Sequence, residues 1–140
     1  MTDNAATIAT AVGRLNSGDV AGYMSTLYAP HSRFHGYPDV FSPDYAGVAA
    51  FYQALVTAVP DTRISPEDML VDGDRVAVRF TFTGTHRGEF LGAPGTGGGL
   101  EVGGITILRF EDGLVVERWN QLDDVTLLTQ LGALPAMAST

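Results

Sequence analysis

Cysteine and lysine are both absent from this chain of 140 residues. Without cysteine there is no thiol nucleophile, disulfide or thiolate metal site. Because all eight basic residues are arginine, a lysine Schiff base and a covalently held pyridoxal cofactor are excluded as well. Carbanion chemistry in this chain would therefore depend on acid–base catalysis or on a metal ion.

Positive charge and long apolar runs are also scarce. The chain has 16 acidic and 8 basic residues and a net charge of -8, with a pI of about 4.5. This acidity disfavours nucleic acids and anionic membranes as partners. No apolar run approaches the length of a transmembrane helix, and residues 1–12 lack the basic segment of a signal peptide. We therefore expect a cytoplasmic protein that binds neither nucleic acid nor membrane.

The order of the apolar patterns predicts a single α+β domain over residues 1–140. Helical spacing or strand-like alternation marks each element. The predicted helices cover residues 4–16, 20–28, 45–59 and the stretch that ends at Gly132, and the predicted strands cover 32–36, 63–71, 75–83, 100–110 and the stretch from 114. Pro66 makes its strand an edge strand. This order predicts helices on one face of a curved antiparallel sheet, and the length leaves room for an internal cavity.

The last predicted strand carries the most unusual side chains. It follows the turn Asp112-Gly113, and alternation places Glu117, Trp119, Gln121 and Asp123 on one face. An acid, an aromatic ring, an amide and a second acid on one face are typical of the wall of a polar-bottomed pocket. Trp119 and Asp123 would lie ~13 Å apart at the usual rise of a strand, which is enough for a flat ligand of several rings.

The neighbouring aspartates Asp123 and Asp124 allow two assignments. Either side chain could be the N-cap of the helix that ends at Gly132. A cap explains one aspartate but not the polar face that Asp123 shares with Trp119 and Gln121. We therefore predict that Asp124 is the cap and that Asp123 is the functional carboxylate.

Three other polar side chains are candidates with open alternatives. His35 could face the pocket or be a hydrogen-bonded loop histidine, and His86 could face the pocket or, as we favour, solvent. Arg79 lies in mid-strand, where a buried charge needs a partner, so it meets either an ion-pair partner or a ligand. His31 and His35 have the spacing of metal ligands but no third ligand nearby, so we predict no metal site.

Apolar residues occupy both faces of the predicted sheet. Val76, Val78, Phe80 and Phe82 alternate on one strand, and Ile105 and Ile107 lie on the next. Because helices can cover only one face, the other face should meet another chain. We predict a homodimer through the outer sheet face. The glycine-rich residues 92–99 lack the lysine of a phosphate loop, and we expect them to form a mobile lid.

Several groups of residues, in order and spacing, resemble the SnoaL-like polyketide cyclase family from about residue 8 to residue 132. They are His35-Gly-Tyr-Pro38, Gly47-Val-Ala-Ala-Phe51-Tyr52 with Pro60-Asp61, Gly84-Thr-His86-Arg-Gly88-Glu-Phe90-Leu-Gly92, and Arg109-Phe-Glu-Asp-Gly113 followed by Glu117-Arg-Trp119, Asp123 and Gln130-Leu-Gly132. The match depends on their combination, because each group alone is short.

The resemblance implies a cone-shaped α+β barrel of the nuclear-transport-factor-two-like type with a deep apolar cavity. In the cyclases, an aspartate at the position of Asp123 is the acid/base for intramolecular aldol closure of an aromatic polyketide ester, and His35 is a second catalytic candidate. The resemblance implies no cofactor and a small polyketide-like substrate. The expected substrate-binding residues are Trp119, Gln121, Arg79, Thr106, Phe51, Leu55 and His86.

Other functions stay open within the same resemblance. Some relatives in anthracycline pathways serve hydroxylation, and related isomerases carry their base near His35, where this chain has no carboxylate. Proteins of this fold also act as non-catalytic carriers of small molecules. A pocket acid with a perturbed pKa would favour an enzyme over a carrier. Gly95-Thr-Gly-Gly-Gly99 replaces the Pro-Thr-Gly-Lys of many members, so the predicted lid differs from theirs.

Overall fold

A computed structural model describes residues 3–133. Helices and strands follow one another in the predicted order. They are α1 (Asn4–Asn16), α2 (Val20–Leu27), β1 (Tyr28–His35), α3 (Tyr45–Ala58), β2 (Arg63–Asp72), β3 (Arg75–Thr85), β4 (Gly99–Glu111), β5 (Leu114–Leu122) and α4 (Asp124–Gln130). No helix among these residues is both long and apolar enough to cross a membrane.

Every helix begins directly after an aspartate. Asp3, Asp19, Asp44 and Asp123 are the N-caps of α1 to α4, and each carboxylate accepts a hydrogen bond from the backbone amide three residues further on. This bond satisfies an amide that has no partner inside the helix, and the negative charge complements the helix dipole. Part of the acidity of the chain is therefore explained by helix capping.

The five strands form one open, mixed sheet in the order β1-β5-β4-β3-β2. The pairs formed by β2, β3, β4 and β5 are antiparallel, as predicted. At the other edge β1 runs parallel to β5, so the expectation of a purely antiparallel sheet was wrong. A parallel neighbour needs a long connection, and here α3 and the three strands after it lie between the two. Strand β2 is the predicted edge strand, and its pairing with β3 shifts between Pro66 and Asp68.

Alternation along β3 separates the two faces of the sheet. Val76, Val78, Phe80 and Phe82 are buried, whereas Arg75, just before them, and Arg79, between them, are exposed. The buried face packs with the apolar sides of the helices in one core, which includes Ile8 and Leu15 of α1, Tyr23 and Leu27 of α2, and Phe51 and Leu55 of α3. Burial of each large apolar side chain contributes roughly 1.5–3 kcal/mol. No helix within residues 3–133 covers the other face of the sheet, where Ile105 and Ile107 are exposed.

Candidate functional site

A mostly apolar cavity lies between the helices and the inner face of the sheet. It contains about 840 Å³ of empty space, counting the part that opens to solvent. Phe51 and Leu55 of α3 and Thr106 of β4 lie in its wall, as we expected from the sequence; their contact with a substrate stays a prediction. The remaining lining includes Ile8, Val12, Leu15, Leu27, Val78, Phe80, Phe82, Phe90, Leu100, Leu108 and Leu127.

One charged side chain, Arg118 of β5, lies in this apolar wall. Only 7% of Arg118 is exposed. Its Nη1 donates to the hydroxyls of Tyr23 at 3.0 Å and Tyr28 at 2.6 Å, and its Nη2 donates to Oδ1 of Asn120 at 2.9 Å. The guanidinium carbon lies 5.7 Å from the ring centre of Tyr37. Sequence analysis missed both Arg118 and Asn120.

The tyrosines around Arg118 form two hydrogen-bonded pairs. The hydroxyl oxygens of Tyr23 and Tyr28 are 2.7 Å apart, and those of Tyr37 and Tyr52 are 2.6 Å apart. Burial raises the pKa of Tyr28 to about 12 and raises the pKa of Tyr23 and of Tyr37 well above the usual tyrosine value. These hydroxyls are therefore neutral at physiological pH.

A second hollow, between α4 and the loop after β1, adjoins the cavity. The hollow and the cavity share the lining residues Tyr37, Phe51, Asn120, Leu122 and Leu127, and the hollow adds Gly36, Pro38, Asp39, Leu91, Asp124 and Leu128. The loop crosses β5 very closely, because Gly36 has a φ of 92° and a Cβ there would collide with the carbonyl oxygen of Asn120. Only glycine fits such a crossing.

The cap that we predicted at Asp124 was wrong, whereas the catalytic role that we predicted for Asp123 stays a prediction. Asp123, not Asp124, is the N-cap of α4, and it accepts hydrogen bonds from the Thr126 hydroxyl at 2.6 Å and the Thr126 amide at 3.1 Å. Those two bonds lower the pKa of Asp123, which is exposed and lines neither the cavity nor the hollow. Asp124 is exposed as well, but it lines the hollow, and the partial desolvation of its carboxyl and then the charge of Asp123 raise its pKa. The amide of Asp123 pairs with the carbonyl of Gly103 at the end of the sheet, so Asp123 is the residue that joins the strand to the helix. The helix therefore begins at Asp124, one residue earlier than a cap at Asp124 would allow.

Comparison with known proteins identifies the family. A model of the SnoaL-like polyketide cyclases matches residues 6–131. The chain belongs to the SnoaL-like polyketide cyclase family. No curated protein sequence matches it.

Solved structures of similar proteins have the same fold. AclR from Streptomyces galilaeus, a proposed hydroxylase, is 31% identical, covers 94% of this chain and 97% of its own, and superposes with a TM-score of 0.83. IdmH from Streptomyces antibioticus, a proposed polyketide cyclase, is 34% identical, with 93% and 99% covered and a TM-score of 0.77. TsrD from Streptomyces laurentii is 29% identical, with 92% and 97% covered and a TM-score of 0.80. Proteins with this fold have thus been proposed to be hydroxylases as well as polyketide cyclases.

In this SnoaL-like chain, the polar face of β5 that we predicted points away from the cavity. Glu117, Trp119 and Gln121 do share a face, but they lie opposite Arg109, Ile107 and Ile105 of β4 on the outer side of the sheet. The alternate residues Arg118 and Asn120 point inward. The placement of Trp119 and Gln121 in the pocket wall was therefore wrong, whereas the alternation itself was correct.

Two more candidates lie on the outer face of the sheet. His35 forms a hydrogen bond of 2.7 Å between its Nε2 and Oε2 of Glu117, and its ring stacks on Trp119 at 5.5 Å. This bond, with those from Arg109, lowers the pKa of Glu117. Arg79 donates from Nε to Asp68 at 2.7 Å. Both residues therefore follow the alternative that we left open, a hydrogen-bonded histidine and an ion pair.

His86 is fully buried, so the expectation that it faces solvent was wrong. Its backbone amide donates to the carbonyl of Gly98, its carbonyl accepts from the amide of Gly97, and its Nδ1 lies 3.4 Å from the Thr96 hydroxyl. His86 thus attaches the glycine-rich segment to the body of the protein and lines neither the cavity nor the hollow. Among residues 3–133, no three histidine, aspartate or glutamate side chains are grouped as metal ligands.

Proposed function

We propose that this SnoaL-like protein is an enzyme that closes a ring in an aromatic polyketide ester by intramolecular aldol addition, without a cofactor. The observation that carries the proposal is the carboxylate of Asp124, which lines the hollow beside the apolar cavity and has a raised pKa. A carboxylate with a raised pKa is a stronger base toward a carbon acid. A carrier of small molecules would not need such a group.

The reaction uses one proton twice. Asp124 takes a proton from a carbon next to the ester or ketone of the bound substrate, which leaves an enolate. The enolate carbon attacks a second carbonyl carbon of the same molecule, so that a carbon–carbon bond forms and the carbonyl oxygen becomes an alkoxide. Asp124 then returns the proton to this alkoxide. The cavity contributes by holding the two reacting carbons close together.

The adjacent Asp123 gives the proposal its sharpest test. The family resemblance points to Asp123 as the acid/base, whereas its hydrogen bonds from Thr126 lower its pKa and make it the weaker base. In the present proposal, Asp123 caps α4 and its charge raises the pKa of Asp124. The assignment of the acid/base to Asp123 and its assignment to Asp124 therefore predict opposite results for the same pair of variants.

The experiment compares Asp123→Asn with Asp124→Asn in turnover of a panel of tricyclic polyketide keto-esters. Ring closure by aldol addition leaves the mass unchanged, so the product is detected by chromatography with mass spectrometry. We expect Asp124→Asn to fold normally and to lose on the order of a hundredfold or more in rate, the usual contribution of a general acid/base. We expect Asp123→Asn to melt at a lower temperature and to keep most of its turnover.

The opposite result, with Asp123→Asn inactive and Asp124→Asn near the wild-type rate, would return the catalytic role to Asp123. Full activity in both variants would refute acid/base catalysis at this opening. Tight binding of the panel by the wild-type protein without any turnover would favour a carrier.

Hydroxylation is the second candidate, because AclR is a proposed hydroxylase at 31% identity over nearly the whole chain. Hydroxylation inserts one oxygen atom of dioxygen and reduces the other to water, so it needs dioxygen as the oxidant and a two-electron donor, either an added reductant such as a reduced nicotinamide or the substrate itself. Incubation of the same panel under isotopically labelled dioxygen distinguishes the two reactions. Ring closure gives an unlabelled product of unchanged mass, whereas hydroxylation gives a labelled product that is heavier by one oxygen.

A further inference from the structure

The buried cation Arg118 has no counter-charge among the residues that the structure describes. None of the ion pairs within residues 3–133 includes it, and its hydrogen-bond partners are two neutral tyrosine hydroxyls and a neutral amide. Burial of a charge is costly unless the charge is paired. A purely structural role would be filled at lower cost by an apolar side chain.

The donor capacity of Arg118 is also incomplete. Its Nε is buried and has no hydrogen-bond partner within the described residues. Unsatisfied buried donors are rare in folded proteins, and this one belongs to a side chain that lines the cavity. The guanidinium is therefore held in place by Tyr23, Tyr28 and Asn120 while it still has a positive charge and a free donor.

The surrounding tyrosines do not cancel this charge. Burial raises the pKa of Tyr28 to about 12, so the hydroxyl that accepts from Arg118 stays protonated. Asp39 and Asp124 line the hollow and not the cavity, and no carboxylate is among the residues that line the cavity. A group that neutralises Arg118 must therefore enter with the ligand.

We propose that Arg118, positioned by Tyr23, Tyr28 and Asn120, is an anion-binding site in the cavity wall and that the ligand is an apolar, ring-containing acid whose ionised oxygen binds there. The rings lie against the apolar lining, for example Phe51 and Phe90, and a carboxylate, phenolate or enolate oxygen meets the guanidinium. This inference rests on the proposed function, since it names the substrate class for the same cavity. It also supplies a cation that stabilises a developing enolate.

The test compares two aromatic probes of one shape and different charge, 2-naphthoate and 2-naphthamide, by isothermal titration calorimetry. We expect the wild-type protein to bind naphthoate about tenfold or more tightly than naphthamide, the effect of one charge-assisted hydrogen bond. Arg118→Met should lose this preference, with naphthamide affinity changed by less than about threefold. Arg79→Met is the matched control: it removes the same charge from the outer face and should keep the preference.

A second measurement does not depend on a folded variant. The absorbance of 2-naphthol reports its ionisation, and its pKa should fall by about one unit or more when it binds to the wild-type protein, because a nearby cation stabilises the naphtholate. Equal affinities for the two naphthalene probes, an unchanged naphthol pKa, or a preference that survives in Arg118→Met would overturn the inference. None of these readouts requires turnover, so a failure of ring closure in the keto-ester panel leaves the result intact.

Discussion

Replacement of Gly36 by alanine should destabilise the protein through two separable effects. The first is the backbone conformation, since Gly36 has a φ of 92°, and a left-handed conformation costs a residue with a Cβ roughly 1–2 kcal/mol. The second is the collision of that Cβ with the carbonyl oxygen of Asn120. Because a backbone carbonyl in a sheet cannot rotate away, we expect roughly 1–3 kcal/mol for this overpacking. The sum is about 2–5 kcal/mol.

Gly73, in the turn between β2 and β3, separates the two effects. It also has a positive φ, 60°, but a Cβ there would meet no atom within 4 Å. Gly73→Ala should therefore cost only the conformational part. At about 4 °C per kcal/mol for a chain of this size, we expect Gly36→Ala to melt roughly 4–12 °C below Gly73→Ala. Urea denaturation should show a lower midpoint with an unchanged slope. Equal losses in the two variants would refute the close crossing of β5 by this loop.

The remaining predictions concern pH and assembly. Hydrogen bonds from Thr126 lower the pKa of Asp123. The ionised carboxylate therefore stabilises the fold above the ordinary carboxyl pKa, and this stabilisation is lost as the pH falls through the lowered pKa of Asp123. The melting temperatures of wild type and Asp123→Asn should therefore converge in acid. The pKa of Asp124 is raised, so its ionisation opposes folding as pH rises through that value; Asp124→Asn should melt higher than wild type at neutral pH and equally in acid. We also expect a homodimer through the outer sheet face, where Ile105 is 53% and Ile107 is 39% exposed. The interface should bury on the order of 1,600 Å². Light scattering at micromolar concentration should show a dimer for wild type and a monomer for Ile107→Arg, and a monomeric wild type would contradict the expected dimer.

The elements of the fold were predictable because their signals are local. Helical spacing, aspartates before helices and the turns Asp72-Gly73 and Asp112-Gly113 fix where most elements begin and end. The parallel edge strand was not predictable in this way. The pairing of β1 with β5 joins residues about 85 positions apart, such as His35 and Trp119, and no local pattern in either strand specifies that partner.

The candidate site was missed because alternation separates two faces without saying which of them is inside. In β5, the aromatic Trp119 lies on the outer face and the charged Arg118 lies on the buried face, although aromatic residues are usually buried and charged residues are usually exposed. The neighbouring strands do contain the missing signal. Val78 is clearly a core residue, it pairs with Thr106, and Thr106 pairs with Asn120. Following that register from the core strand outward places Asn120 and Arg118 inside.

The cap was misassigned by a single residue, and no sequence pattern distinguishes the two candidates. Asp123 and Asp124 are chemically identical, so the choice depends on how far the sheet extends. The bond from the amide of Asp123 to the carbonyl of Gly103 continues the sheet by one residue and leaves Asp124 in the first turn of the helix. A tertiary contact therefore decides which carboxylate lies at the opening.

The charges along the route into the cavity have a kinetic consequence. Asp39 and Asp124 line the hollow beside the cavity, which is the route that we propose for a ligand, whereas Arg118 lies in the cavity wall. An acid that is attracted to the interior is therefore repelled at the entrance, so its association is slowed more than its affinity suggests. Added salt screens exposed charges far more than buried ones. Because this repulsion raises the barrier in both directions, the association and dissociation rates of an anionic ligand should both rise with ionic strength while its affinity changes little. The rise of the association rate is the reverse of ordinary electrostatic steering.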